Sequence, residues 1–369
     1  MSKKRLEKQL SKASKNFLVL LVILFMGLSI TFAYLWLTEY PSPLHQVDNN
    51  KETNDTTLIK NNDGTYSKIL SNSSCDNLEV YFLDLKNNNN ETKIGDSTYI
   101  KCNNIDIVID AGIQNVGTNT VVPFLKEKVT DKKIELVIAT HTDEDHIGGF
   151  VGLSNKEGVL NIKGFTYNYI LESGYTTNTQ IYTKFTNLVN SSNAKICNGY
   201  DSLKGNNKCA KTFKIGNIIL EVLDTGLYND STASSNDRSI VTLLKHNEIT
   251  YLFPGDLEDD EILSSKVNHV DIFKAAHHGA SSANSSKLLN SLTPEVIILS
   301  TDGNNSYDIP QQASLDRMYA LTNKIYATFT TGTIKITSDG NTYNITSDNL
   351  VLFQETEWFL ENRTLIDNN

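Results

Sequence analysis

Between residues 139 and 149 the chain reads ATHTDEDHIGG, and the strand-like run IELVIAT leads straight into it. His141, Asp143, Asp145 and His146 place four metal-ligating side chains in one short window that ends on two glycines. Crowded carboxylates repel one another and resist ionising together. A divalent cation reverses that penalty and takes imidazoles in their neutral form. An exposed polar turn is the plain alternative, but such a turn has no need of two imidazoles beside a strand end. The window predicts a cation site at a sheet edge, and the rest of the chain must supply the sheet.

It does so in short β-branched or aromatic runs. LEVYFLDL (78–85), STYIK (97–101), IDIVID (105–110), IGNIILEVLD (215–224), SIVTLLKH (239–246) and EVIILS (295–300) read as strands. Helical patterns fall between them at 121–129, 180–190, 257–265, 285–292 and 312–322. His246 and Asn247 suit a hairpin turn. The mixture predicts one domain with a large sheet content over residues 76–350, and a C-terminal tail at 351–369.

Phe17 to Leu37 is uncharged, apolar and long enough for a helix to cross a hydrocarbon core of about 30 Å. Lys3, Lys4, Arg5, Lys8, Lys12 and Lys15 precede it, and Tyr34, Trp36 and Tyr40 lie at its far end. That pattern predicts a basic cytoplasmic tail (1–16), a single-pass transmembrane signal anchor (17–38) with the lipid bilayer as its partner, and an extracytoplasmic remainder. A cleaved signal peptide would have a shorter apolar run and small residues after it. Residues 39–75 are polar and poor in apolar side chains, so they read as a flexible stalk.

Net charge is −10 although the first residues are basic, so the body is strongly acidic. It lacks the diffuse positive field of a general nucleic-acid binder. Cys75, Cys102, Cys197 and Cys209 all follow the anchor. An oxidising compartment would allow Cys197–Cys209 across a short polar loop and Cys75–Cys102, with free buried thiols as the alternative.

Two later motifs carry further candidates. YLFPGD ends on Asp256, which either binds a cation or caps the helix after it. AAHHGA contributes His277 and His278. Neighbouring residues of a strand face opposite ways, so one imidazole is expected in the site, and His278 before Gly279 is favoured.

HTDEDHIGG resembles the H-x-H-x-D-H signature of metallo-β-lactamase-fold hydrolases. With Asp in the second ligand position it is similar to the extracellular hydrolase domain of ComEC-type competence DNA-uptake proteins. GDSTYIKCNNIDIVIDAG (95–112), NDRSIVTLL (236–244), YLFPGD and AAHHGA resemble that group's other motifs in the same order. The resemblance covers roughly residues 76–340 and leaves out the multi-span channel.

It implies an α+β fold, a four-layer αββα sandwich, with two divalent metal ions, Zn or Mn, at one sheet edge. His141 and Asp143 would hold the first ion. Asp145, His146 and His278 would hold the second, and Asp256 would bridge them. Two such ions polarise a phosphoryl oxygen and lower the pKa of water. Asp145 and His277 are then the catalytic candidates. Asp110, Asn236, Asp237 and Asp308 would orient ligands or meet substrate.

Two departures stand out. No further His lies between His146 and Asp256 except His246 at the hairpin, so the first position is oxygen-rich and suits a harder ion such as Mn²⁺. YDIP puts Asp308 where ComEC-like chains often carry His. The expected activity is hydrolysis of a phosphodiester, with DNA among the substrates and no protein partner defined. A non-nucleic cell-surface ester, or a metal-binding domain without catalysis, are the alternatives.

Overall fold

The structure, a computed structural model, describes residues 57–365. The anchor expected at 17–38 and the basic tail before it lie outside these residues. Among the described residues no helix is long and apolar enough to cross a membrane.

Two large sheets organise the chain. One runs in the order β1 (Leu58–Lys60), β2 (Tyr66–Ser71), β9 (Ala210–Ile215), β10 (Ile218–Val222), β11 (Thr242–His246), β12 (Ile249–Phe253), β13 (Ile272–Lys274), β14 (Val296–Leu299), β15 (Ile325–Ala327). The other runs β17 (Tyr343–Thr346), β16 (Ile334–Ser338), β3 (Leu78–Phe82), β4 (Thr98–Cys102), β5 (Ile105–Ile109), β6 (Lys133–Ala139), β7 (Thr166–Glu172), β8 (Lys195–Asn198).

Each sheet has an antiparallel stretch and a parallel one. Strands β5 to β8 are parallel, and so are β12 to β15. Parallel neighbours need crossover connections, which bring helices onto the outer faces. The helices that pack on those faces include α1 (Val122–Lys128), α2 (Glu144–Val151), α3 (Gln180–Ser191), α4 (Ser286–Leu292), α5 (Gln312–Tyr319) and α6 (Glu357–Asn362).

Three cores show the layering. Phe82, Ile100 and Leu136 of one sheet meet Phe213, Leu220 and Tyr251 of the other in the middle core. Val137 and Ile170 face Leu125, Phe150 and Phe185 of α1, α2 and α3. Phe273 and Ile297 face Leu288, Leu315 and Phe359 of α4, α5 and α6. The order helix, sheet, sheet, helix is the four-layer αββα sandwich. In α3, Ile181, Phe185 and Val189 form the buried stripe at a spacing of four, and Thr179 caps the helix by accepting from Tyr182 N.

Two boundaries differ from the sequence reading. Within the stretch read as a stalk to residue 75, the described residues 57–75 belong to the fold. Strand β2 pairs in parallel with β9, and Cys75 is tied to Cys102 by a disulfide. Most residues of β2 are half-buried because it lies near a sheet edge, and backbone pairing with β9 together with Leu70 against the middle core fixes it. The stretch read as a tail from residue 351 also packs. Phe353 and Phe359 are buried, with Trp358 stacked on Phe353. The second disulfide joins Cys197 to Cys209.

Candidate metal centre

The parallel strands of both sheets point their carboxyl ends to one edge, where backbone that has left the ladder can carry ligands. Asp110 follows β5, His141 follows β6, Asp256 follows β12 and His278 follows β13. Strand β4 runs antiparallel to β5, so Asp96, just before it, reaches the same edge.

Two glycines let the pieces close. A Cβ on Gly149 would lie 1.8 Å from the Ala111 carbonyl oxygen, so α2 sits hard against the end of β5. Gly95 has a φ of 132° and a Cβ there would lie 2.4 Å from the Asp145 carbonyl oxygen.

Asp145, His146, Asp256 and His278 converge. His146 Nε2 lies 3.1 Å from Asp256 Oδ2, 3.4 Å from His278 Nε2 and 3.8 Å from Asp145 Oδ2. His278 Nε2 lies 3.1 Å from Asp145 Oδ2 and 3.3 Å from Asp256 Oδ2. Four ligand atoms around a tetrahedral ion at ~2.1 Å stand about 3.4 Å apart. The separations of the two imidazole Nε2 atoms from each other and from Asp145 and Asp256, 3.1–3.8 Å, fit that spacing.

Beside it, His141 Nε2 lies 3.9 Å from both Asp143 Oδ2 and Asp256 Oδ2. His141 Nε2 and Asp256 Oδ1 are buried and have no hydrogen-bond partner. Buried polar atoms are nearly always satisfied, so these two suit ligands of a cation.

The outer contacts are well defined. Asp110 Oδ2 is 2.8 Å from His146 Nδ1, and Asp110 accepts from Thr140 N and Thr140 Oγ1. His278 Nδ1 is 2.9 Å from the Ser300 carbonyl oxygen. Asp256 N donates to Ser239 Oγ at 3.0 Å. Asp237 accepts from Glu258 N and Asp259 N, so it shapes the loop after Asp256 rather than the cluster itself. Asn236 turns the chain into that segment, its carbonyl accepting from Ser239 N at 2.9 Å. The exposed Asp308 carboxylate is committed to Arg363 at 2.7 Å. His246 spends both ring nitrogens inside the fold, on Ser338 Oγ and the Cys75 carbonyl, and is not a site residue.

His277 and His278 do not lie on a strand, as the sequence reading supposed. They follow it in a tight turn with φ of 46° and 54°. His277 Nε2 is 3.9 Å from Asp256 Oδ2 and His277 Nδ1 is 2.9 Å from Glu258 Oε1.

Three further residues escape the sequence reading. Asp96 pairs with the Lys274 ammonium, both buried, and Asp96 Oδ1 lies 3.4 Å from His278 Nδ1. Ligand-type atoms of Asp96, His146, Asp256 and His278 lie within 4.8 Å of one another. Asp96 nevertheless reaches the imidazoles from their Nδ1 side, whereas Asp145 and Asp256 share the Nε2 side. Asp145 and not Asp96 thus shares with Asp256 the side of the rings away from their Nδ1 partners. A lysine in the apolar strand IFK, two alanines before the HH pair, is the signal that could have found Lys274; Glu258 is the third residue.

The charges are coupled. Burial is the largest single influence on His146 and His278 and would strip their protons, but the carboxylates together outweigh it: Asp256, Asp110 and Asp145 for His146, and Asp256, Asp96 and Asp145 for His278. Both imidazoles end well above the ordinary 6.5. Burial alone would raise Asp256, and His146 and His278 instead hold it well below the usual carboxylate range. His141 is pushed down to about 4 by burial, with His146 adding to it.

In the cation-free chain a proton therefore sits on each of His146 and His278 near neutrality. The stability of those ion pairs is present below 6.5 and lost as pH rises through the raised values. Cation binding runs the other way, because the ion displaces both protons. Affinity for Mn²⁺ or Zn²⁺ is expected to climb as pH rises above the ordinary imidazole range toward the raised values of His146 and His278, with proton release. Calorimetry in buffers of different ionisation heat counts those protons. An affinity flat in pH would contradict the arrangement.

A cleft of about 660 Å³ opens at this edge, lined by Asp143, Glu144, Asp145, Tyr175, Lys184, Ser235 and Tyr307 among others. Arg238 stacks on the Tyr175 ring at 4.8 Å and braces one wall.

No protein-family model matches the chain. It is 23% identical over 230 residues to ComE operon protein 3 of Bacillus subtilis, covering 60% of this chain and 26% of that protein. It is 24% identical over 111 residues to Recombination protein 2 of Haemophilus influenzae, covering 30% of this chain and 14% of that one. The chain thus spans about a quarter or less of these relatives' length. The metallo-β-lactamase fold protein YhfI of Bacillus subtilis aligns with a TM-score of 0.40 and 13% identity, over 68% of this chain and 95% of that one. The described domain has the αββα layering of the metallo-β-lactamase fold, and the chain is similar in sequence to ComEC-like proteins.

Proposed function

We propose that the chain is a metal-dependent hydrolase of phosphodiesters that uses two divalent ions, zinc or manganese. The observation that carries this reading is the convergence of His141, His146 and His278 on Asp256, with Asp145 against His146 and His278, beside an open cleft. Bound there, the ions would activate a water molecule and neutralise charge on the phosphoryl oxygens.

The protein's own groups do the rest. Asp145 lines the cleft as well as the cluster, so its carboxylate can take the proton lost by the attacking water. Asp110, Thr140 and Ser300 fix the imidazoles, so no reorganisation is needed when substrate arrives. Lys184 offers the cleft a cation for a phosphate oxygen.

Among the lining residues Lys184 is the one cation, set against Asp143, Glu144 and Asp145. Such a cleft favours a short diester or a strand end over a long duplex, whose affinity rests on many phosphate contacts. The names of the two relatives, one a recombination protein, make nucleic acid the first polymer to test. Two disulfides support an oxidising, extracytoplasmic setting, in keeping with the anchor expected at 17–38.

The test is hydrolysis of bis-(p-nitrophenyl) phosphate by the full chain with added Mn²⁺ or Zn²⁺. Turnover is expected with metal and none with chelator. A short single strand should then be cut faster than a duplex. Folded protein that binds metal and turns over no phosphodiester would move the reading to another ester or to binding without catalysis.

A further inference from the structure

The four imidazoles at the sheet edge share one plan. His141 Nδ1 lies 3.1 Å from Thr140 Oγ1, His146 Nδ1 2.8 Å from Asp110 Oδ2, His278 Nδ1 2.9 Å from the Ser300 carbonyl, and His277 Nδ1 2.9 Å from Glu258 Oε1. In each ring the other nitrogen looks toward Asp256 Oδ2, at 3.9, 3.1, 3.3 and 3.9 Å respectively. An imidazole that ligates a metal characteristically gives its second nitrogen to a carboxylate, a carbonyl or another oxygen. The other two described histidines lie elsewhere: His246 is spent inside the fold, and His269 is a half-exposed surface residue beside Thr293 and Asp271.

Resting on the metal reading above, we propose that His277 is a ligand of the first ion, with His141, Asp143 and Asp256. The backbone supports this. His277 and His278 are consecutive residues in the left-handed region, at φ 46°, ψ 49° and φ 54°, ψ 16°. That conformation is costly for a residue with a side chain and persists where its surroundings impose it. Here His277 N donates to the Gly255 carbonyl and Ala280 N to the His277 carbonyl, which locks the turn. The turn sends two adjacent imidazoles to one carboxylate oxygen, which a strand cannot do.

The donor sets then match. The second position has two imidazoles and two carboxylates, from His146, His278, Asp145 and Asp256. The first gains the same composition, from His141, His277, Asp143 and Asp256. Glu258 becomes the carboxylate behind the ligand, itself held by Ser282 Oγ at 2.7 Å. A side chain that met only substrate would need no such match to its three neighbours.

The test counts ions rather than turnover. The full chain and its variants are titrated with Mn²⁺ by calorimetry and with Co²⁺ by absorption, folding being checked by near-ultraviolet circular dichroism. Wild type is expected to bind two ions, and His277→Ala one, at the affinity of the wild-type second position. Glu258→Gln should keep two but weaken one by ~10–100-fold. If His277→Ala binds two ions with wild-type affinities, the proposal is overturned and the metal reading stands. If wild type binds one ion and His277→Ala is indistinguishable from it, the proposal and the two-ion count both fall, and a single ion at the second position remains. A wild type that binds no ion sinks the proposal and the metal reading together.

Discussion

Asp256→Ala is expected to lower metal-dependent phosphodiester turnover by at least ~10³-fold, the largest effect of any single substitution at the edge. A bound ion supplies several kcal/mol to the transition state, and each 1.4 kcal/mol is about a factor of ten. Asp256 Oδ2 is the atom to which His141, His146 and His278 all turn, so its loss opens both positions together. Asp145→Ala should fall less far in metal content, because Asp145 reaches His278 and His146 but not His141 among the close contacts. The measurement is steady-state hydrolysis of bis-(p-nitrophenyl) phosphate beside metal content by elemental analysis. Asp256→Ala with near-wild-type turnover at saturating Mn²⁺ would remove this residue from the centre of the proposed chemistry.

Much of this edge is legible in the sequence because its ligands recur in a short window. His141, Asp143, Asp145 and His146 are close in the chain, and one turn into α2 keeps them close in space. Asp256 and His278 are legible by position, each just after an apolar strand. Asp96, Lys274 and Glu258 are not, since each is defined by a partner far away in sequence. Asp96 meets Lys274 across the two sheets, and Glu258 meets His277 only because two left-handed residues turn that ring. The direction of His277 is likewise unreadable from the letters HH, which suggest a strand and opposite faces. The fold was misread at its ends for a related reason. Strands β1 and β2 are short, broken by polar residues and held by ladder bonds at a sheet edge, so their few apolar side chains show no clear pattern within a polar stretch. The segment FQETEWFL carries Phe353, Trp358 and Phe359, an aromatic cluster that is apolar enough to pack and too short to show a period.

Lys274→Met should destabilise the cation-free chain by ~3–5 kcal/mol, since removing one member of a buried ion pair leaves the other charge uncompensated. Lys274 and Asp96 are both buried, and Lys274 Nζ also lies 3.9 Å from Asp256 Oδ1. Burial alone would lower the Lys274 pKa, yet Asp96 and Asp256 raise it above the ordinary lysine value, so the ammonium is charged across the working range. It is a fixed cation behind a cluster built to take exchangeable ones. Its loss should therefore cost most when the cluster is empty and less at saturating Mn²⁺, where ions supply positive charge on the other side of Asp256. Asp96→Asn added to Lys274→Met removes the stranded carboxylate and should recover much of the stability. Urea unfolding of the full chain, with chelator and with Mn²⁺, separates these cases. Equal losses in both conditions would show the pair to be a packing element with no electrostatic link to the centre. A smaller loss with metal would show that Lys274 and the ions neutralise the same carboxylates.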